Sequence, residues 1–225
     1  MASTSESGHA KNVSNFRQLV SEVNGMGGDY NPSNADLTLT ALDTRHEDAK
    51  NAQKLVNSKN AATKGAVNKR VQMFDDILGP LVTKCLNALE ASGADDDIVR
   101  DARGIGKKIT GHSGISQQSF DMRLDNFDLF VEILKTEPKY APNETEIQTA
   151  SLETFYSDMV SANQAVILAN REVGSARGAR NRQFYSDGGL IDVALDVKKY
   201  VRSVYGSNDS RFTRVNGIEF KRYED

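Results

Sequence analysis

Asp43 and His46 stand three residues apart in the segment DTRH. On a helix this spacing puts a carboxylate and an imidazole on one face. Carboxylate-bridged metal centres in helical bundles use a pair of this kind on each of two helices, plus two further carboxylates. The counterpart positions later in the chain hold Glu153 and Tyr156, so a second pair is missing. His9 and His112 fall in stretches expected to be loops. These residues predict no metal site, no cofactor and no nucleophilic triad. The single cysteine, Cys85, lies on the same helical face as Leu81, Leu86 and Leu89, and reads as a core thiol.

Two basic stretches could bind an anionic partner. RGIGKKITG, at 103–111, has the glycines and lysines of a phosphate loop but not the spacing, because Asp101 occupies the place of the first glycine. The same segment is similar to the glycine hairpin of helix-hairpin-helix DNA-binding modules, with Ile98 and Ala102 before it. The matching NGIEFKR at 216–222 lacks the second glycine, so the shared Gly-Ile marks a helix terminus better than a DNA contact. Lys107 and Lys108 remain as candidate phosphate contacts. REVGSARGARNR, at 171–182, offers Arg171, Arg177, Arg180 and Arg182 against Glu172 alone. Arg180 and its counterpart Arg70 are expected to reach across a helix seam, and the other arginines to fan outward towards solvent or an acidic partner.

The elements that carry these residues are written twice. YNPSNADL at 30–37 matches YAPNETEI at 140–147; VSNFRQLV at 13–20 matches LDNFDLFV at 124–131; GPLVTKCL at 79–86 matches GGLIDVAL at 188–195. The order is kept and the offset is nearly constant, which points to a duplicated unit of roughly 100 residues. In each copy a short amphipathic helix (Phe16, Leu19, Val20, Val23; Phe127, Phe130, Val131, Leu134) precedes a proline-marked helix start. Ser33 with Asp36, and Asn143 with Glu146, have capping-box spacing, and Tyr30 and Tyr140 are expected to pack on the first turns.

A stretch without proline follows, at 34–76 and at 143–186, long enough for a helix of roughly 60 Å. Leu152, Met159, Val166 and Val173 fall seven apart, as do Phe155, Ala162, Ala169 and Ala176. That spacing predicts a heptad seam with alanine on one line. The first copy has Leu42, Ala49, Val56 and Thr63 on one line and Arg45, Ala52, Lys59 and Ala66 on the other. Gly65, Gly174 and Gly178 suggest close approach, since glycine costs ~1 kcal/mol against alanine inside a helix. A third apolar helix comes next (Leu81, Val82, Cys85, Leu86, Leu89; Leu190, Ile191, Ala194, Leu195, Val201), then a short fourth, at about 95–103 and again near 208–215.

The expected architecture is therefore all-α: an elongated helical bundle of two tandem repeats, each with one long helix and shorter flanking helices. The expected boundaries are a disordered tail at 1–11, repeat 1 at 12–105, a glycine-rich linker at 106–119, repeat 2 at 120–220 and a tail at 221–225, with the repeats packed as one domain. The doubled NF…LV…Y.P unit, the alanine-rich long helix and LIDVALDVKKYVRSVYG at 190–206 resemble a family of uncharacterised helical proteins from Bacteroidetes, especially flavobacteria. The resemblance spans about residues 12–220. It implies no activity, because no function is assigned to that family.

Charge narrows the function classes. The chain has 28 basic and 31 acidic residues in 225, for a net charge of −3. They divide as 14 and 14 up to residue 112, and 14 and 17 after it. A dedicated nucleic-acid binder has a basic excess, which is missing here. The start lacks a signal-peptide pattern, and no apolar run is long enough to span a membrane, so a cytoplasmic location is expected. The expected function is a non-catalytic interaction or scaffolding protein that binds a protein partner or itself. The alternatives are a nucleic-acid-associated protein using the arginine segment, or a metal-binding bundle.

Overall fold

The computed structural model describes residues 4–111 and 119–223, and every regular element among them is helical. α1 spans Thr4–Asn24, α2 Leu39–Val71, α3 Leu78–Ala91, α4 Asp96–Thr110, α5 Phe120–Thr136, α6 Thr149–Tyr185, α7 Leu190–Tyr205 and α8 Ser210–Asn216. No helix among the described residues is long and apolar enough to cross a membrane.

The chain divides into two compact units, and they do not follow the segments 12–105 and 120–220. One unit comprises residues 1–61 and 171–225; the other comprises 62–170. α2 and α6 each begin in one unit and end in the other, without interruption.

The first unit has a core contributed by both ends of the chain. Phe16, Leu19, Val20 and Val23 of α1 pack with Leu42 and Ala49 of α2, Phe184 of α6, and Leu190, Val193, Ala194, Val197 and Val201 of α7. Val215 and Ile218 complete it. α7 is amphipathic by spacing, and each large apolar side chain it buries is worth ~1.5–3 kcal/mol. α8 is short and is held by its cap. Asp209 accepts from the backbone N–H of Arg211 at 2.8 Å, and from that arginine's Nε and Nη2 at 3.0 and 2.9 Å.

The second unit draws on the middle of the chain. Phe74, Leu78, Val82, Cys85 and Leu89 pack with Ala102 and Ile109 of α4. Leu124, Phe127, Phe130, Val131 and Leu134 of α5 and Leu152, Met159 and Ala162 of α6 close the same core. Ser119 caps α5 by accepting from the backbone N–H of Met122 at 3.2 Å. Gly106 lets α4 lie against α3: a Cβ there would meet Leu86 Cδ1 at 3.0 Å and Val82 Cγ1 at 3.3 Å.

Several local expectations change. α1 begins at Thr4, inside the stretch 1–11 expected to be a disordered tail. Lys221 and Arg222, in the expected C-terminal tail, are held: Lys221 donates its N–H to Asn12 and Arg222 donates to the carbonyl of Tyr185. α4 continues through Gly104 and Gly106 to Thr110, so the first part of the expected linker 106–119 is helix; 112–118, with His112, lie outside the described residues. α2 starts at Leu39 rather than near 34. Its entry is a 3-10 turn, Ala35–Leu37, whose cap is Asn34 accepting from Asp36, not the Ser33–Asp36 box. The matching turn Thr145–Ile147 has Glu144 at its cap position, with no side-chain capping bond from Asn143 or Glu144.

α2 and α3 are joined without leaving helical conformation, through a π-helical turn at Gln72–Ile77. Pro80 lies in the first turn of α3 and has no N–H to give the preceding carbonyls. A widened turn just upstream accommodates that loss.

The two tyrosines before the long helices make the same bond. Tyr30 donates its hydroxyl proton to the carbonyl of Leu37 at 2.7 Å, and Tyr140 donates to Ile147 at 2.7 Å. Both rings are buried, which pushes both phenol pKa values up. Each hydroxyl ties the chain before the turn to the residue that leads into the helix.

Two predictions follow from these bonds. Tyr30→Phe and Tyr140→Phe each lower stability by about 1 kcal/mol, read from urea unfolding, because a buried carbonyl loses its donor; two silent substitutions would contradict this role. At Asp209, the Arg211 bonds hold the carboxyl pKa down to about 2. A carboxylate with a lower pKa folded than unfolded stabilises above the unfolded value and loses that contribution as pH falls through the folded one. Asp209→Asn should therefore cost most near neutrality, and its urea midpoint should converge on the parent's between about pH 4 and about pH 2. A difference that does not change with pH would rule out the charged cap.

Candidate functional site

The arginine segment 171–182 divides by burial. Arg171 and Arg182 are exposed, but Arg180 is fully buried and Arg177 partly so. Arg180 therefore does not belong to an outward basic face. Its Nη1 donates to Gln53 Oε1 of α2 at 3.3 Å, and its Nε donates to Asn181 Oδ1 at 3.3 Å.

Arg70 makes the corresponding bond in the other unit. Its Nη1 donates to Asn163 Oδ1 of α6 at 3.1 Å, and its guanidinium lies 3.9 Å from the centre of the Phe120 ring. Asn163 in turn donates to Asp121 Oδ1 at 2.8 Å. Arg180 follows Arg70 by 110 residues (180 − 70), and Asn163 follows Gln53 by the same 110 (163 − 53). In both cases an arginine late in one long helix reaches an amide earlier in the other, as the seam reading expected of Arg70 and Arg180.

Arg123 joins the second cluster. It is buried, donates to Asp75 Oδ1 at 2.7 Å and to the carbonyl of Phe74, and so clamps α5 to the π-helical turn. In the sequence the one signal for the burial of Arg123 is its position on α5 beside Leu124 and four residues before Phe127.

Asp43 and His46 do not converge on a metal. Asp43 accepts from Arg17 at 2.8 Å, while His46 is buried with its Nδ1 3.3 Å from Glu47 Oε1. Among the described residues no group of three or more His, Cys, Asp or Glu side chains is placed to hold a metal ion. His9 is not in a loop: it is buried in α1, with ring centres of Phe184, Tyr185 and Tyr223 at 5.5, 5.5 and 5.6 Å. A Cβ on the neighbouring Gly8 would collide with the Tyr223 ring, so any larger residue there would displace that ring. Cys85 is buried in the second core beside Tyr140, and burial raises its thiol pKa to about 11. It stays protonated at neutral pH and is a poor nucleophile.

Lys107 and Lys108 lie in the last turn of α4. The amides of this segment are committed to the helix, and a helix C-terminus presents carbonyls, which repel phosphate. The lysines complement that end of the dipole instead. A groove of about 700 Å3 beside them is lined by Arg100, Arg103, Lys107, Glu90 and Asp96. Arg103 pairs with Glu90 at 2.7 Å and Arg100 with Asp97 at 2.7 Å, so most of its positive charge is already balanced. In the first unit a groove of about 360 Å3 runs between α2 and the end of α6 with the turn that follows it, lined by Thr44, Arg45, Asp48, Gln183 and Ser186. Arg45 closes one side by donating to the carbonyl of Gly188 at 2.8 Å.

The glycines of the long helices do not mark close contacts within the chain. A Cβ at Gly65 or Gly174 would meet nothing within 4 Å, and at Gly178 only the tip of Arg182 at 3.8 Å. In α2 the buried positions are Leu42, His46, Ala49, Gln53 and Val56, so the second line of the seam is His46 and Gln53 rather than Arg45 and Ala52.

No protein-family model, no curated protein and no solved structure matches the chain.

Burial predicts a clear split among the arginines. Arg180→Ala should destabilise by on the order of 2–4 kcal/mol, since it leaves a cavity and removes the donor to Gln53. Arg171→Ala, on the surface, should stay within about 0.5 kcal/mol of the parent. Equal urea midpoints for the two variants would contradict the assignment of Arg180 to the interior.

Proposed function

We propose that the chain is a non-catalytic helical scaffold, built from two related helical modules, that binds a protein partner or a second copy of itself. One observation carries this reading. α6 runs for 37 residues with one side in the cores while the other side, including Ile167 and Leu168, is exposed. A continuous helix braced along one side offers a ready-made surface for another helix. The 110-residue offset shared by the tyrosine bonds and the arginine–amide bonds supports the two-module origin.

The nucleic-acid reading draws on Arg171, Arg177, Arg180, Arg182, Lys107 and Lys108. It is weakened by the burial of Arg180 and by the balanced charge of the groove beside Lys107. Phosphate binding scales with the number of cations that can reach the backbone, and few remain.

Sizing of the native protein in extracts of its source cells, with and without nuclease, tests the reading. A scaffold elutes well above 24.7 kDa, and nuclease leaves the profile unchanged. Elution as a single 24.7 kDa chain would contradict it, and a nuclease-sensitive shift would favour the nucleic-acid reading.

A further inference from the structure

α5 lies wholly within the unit 62–170, and its solvent side carries a single sign of charge. At about 100° per residue, Asp121, Met122, Asp128, Leu129 and Glu132 all fall within about 60° of the direction of Asp125. Each of these side chains is exposed, and no lysine or arginine of α5 lies in that arc. Phe127, Phe130 and Leu134 point the opposite way, into the core. The carboxylates sit at i, i+4, i+7 and i+11, a row of about 16 Å along the helix. Beside them stand Met122 and Leu129, seven positions apart and 40% and 48% exposed.

Little of this charge is balanced inside the chain. Asp121 accepts from Asn163 at 2.8 Å, a neutral donor that leaves its charge in place. Lys135 is shared between Glu132 and Glu153, at 2.8 Å from each. Asp125 and Asp128 have no cation partner among the described residues. Their field reaches Tyr156 of α6, whose phenol pKa is raised first by burial and then by Asp128 and Asp125.

The fold does not ask for this composition. At the offset of the NF match (124 − 13 = 111), the same face of α1 holds Ala10, Lys11, Ser14, Arg17, Gln18 and Ser21. Those positions are exposed as well, yet they carry no carboxylate and no large apolar side chain. α5 instead sets two apolar side chains in line beside four like charges, and like charges four apart on a helix repel one another. The free chain bears that repulsion, and a cationic partner relieves it.

Charge then selects the occupant. A second α5 would bring eight carboxylates together in either direction, and a nucleic acid would be repelled as well. A helix with lysines or arginines on one side and apolar residues beside them matches both parts of the face.

We infer that the outward face of α5 docks a basic amphipathic helix of a partner protein, with Met122 and Leu129 under its apolar stripe and Asp121, Asp125, Asp128 and Glu132 against its cations. The inference rests on the scaffold reading and names a surface and the chemistry of the partner that fits it.

Fluorescence anisotropy of the purified full chain with a labelled leucine–lysine peptide tests this. The peptide has its leucines at i, i+3, i+4 and i+7, and a scrambled peptide of the same composition is the control. The patterned peptide should bind at micromolar concentration, and the scrambled one at least about tenfold more weakly, since charge alone does not fill the apolar line. Asp125→Asn with Asp128→Asn, and separately Leu129→Ser, should each weaken binding about tenfold. All three substitutions are on the surface, so the urea midpoints should match the parent's. In source cells, a photoreactive residue in place of Leu129 should couple to a segment whose sequence is basic and amphipathic. Equal binding of the two peptides, variants that bind as the parent does, or coupling to no such segment overturns the inference. So does self-association of the parent that Leu129→Ser abolishes, which would give the face to a second copy. A large, nuclease-resistant native complex would then leave the scaffold reading standing with its surface elsewhere, whereas a native single chain would remove both.

Discussion

Two helices too long for one core set the terms for this fold. A helix of 33 or 37 residues runs roughly 50–55 Å, well beyond the width of a core that a few short helices can close. Its apolar stripe must therefore be covered in separate stretches by different neighbours. α2 gives Leu42 and Ala49 to one core before its end passes into the unit whose core holds Phe74. α6 gives Leu152, Met159 and Ala162 to the second core and Phe184 to the first. Neither core can be completed by one half of the sequence alone.

Buried polar groups fix the register of that arrangement. An apolar stripe specifies which side of a helix is covered, but tolerates sliding. Arg180 on Gln53 and Arg70 on Asn163 do not, because sliding either long helix breaks a guanidinium–amide bond, and Arg180 makes its bond fully buried. Arg123, between Asp75 and Phe74, adds a third such constraint at the π-helical turn. The tyrosine hydroxyls at Leu37 and Ile147 do the same for the entries to the long helices.

The helical class was legible because it follows from spacing alone. The line Leu152, Met159, Val166, Val173 is buried as the heptad pattern indicates; of the line Leu42, Ala49, Val56, Thr63 the first three are buried and Thr63 is half-buried. The second line of α2 was not legible. His46 and Gln53 look like surface residues, and only the neighbours that cover them make them interior. His9 was misplaced for a similar reason: a small polar stretch at a terminus reads as a tail until Phe184, Tyr185 and Tyr223 close around it. Gly65 and Gly174 pointed to close contacts that the chain does not make internally, whereas Gly106, in a segment read as a linker, does lie close to a neighbouring helix. Of the candidate site residues, Arg171 and Arg182 lie on the surface as spacing suggested, whereas the burial of Arg180 follows from contacts distant in sequence.

Zero-length carbodiimide coupling tests most directly whether both halves of the chain build each core. Lys59 Nζ lies 2.7 Å from Glu172 in the first unit, and Lys84 Nζ lies 2.7 Å from Glu146 in the second. Mass spectrometry of the single-chain band should recover peptides joined between 59 and 172 and between 84 and 146. Couplings confined within 12–105 and within 120–220 would mean that each half folds on itself, and would contradict the account.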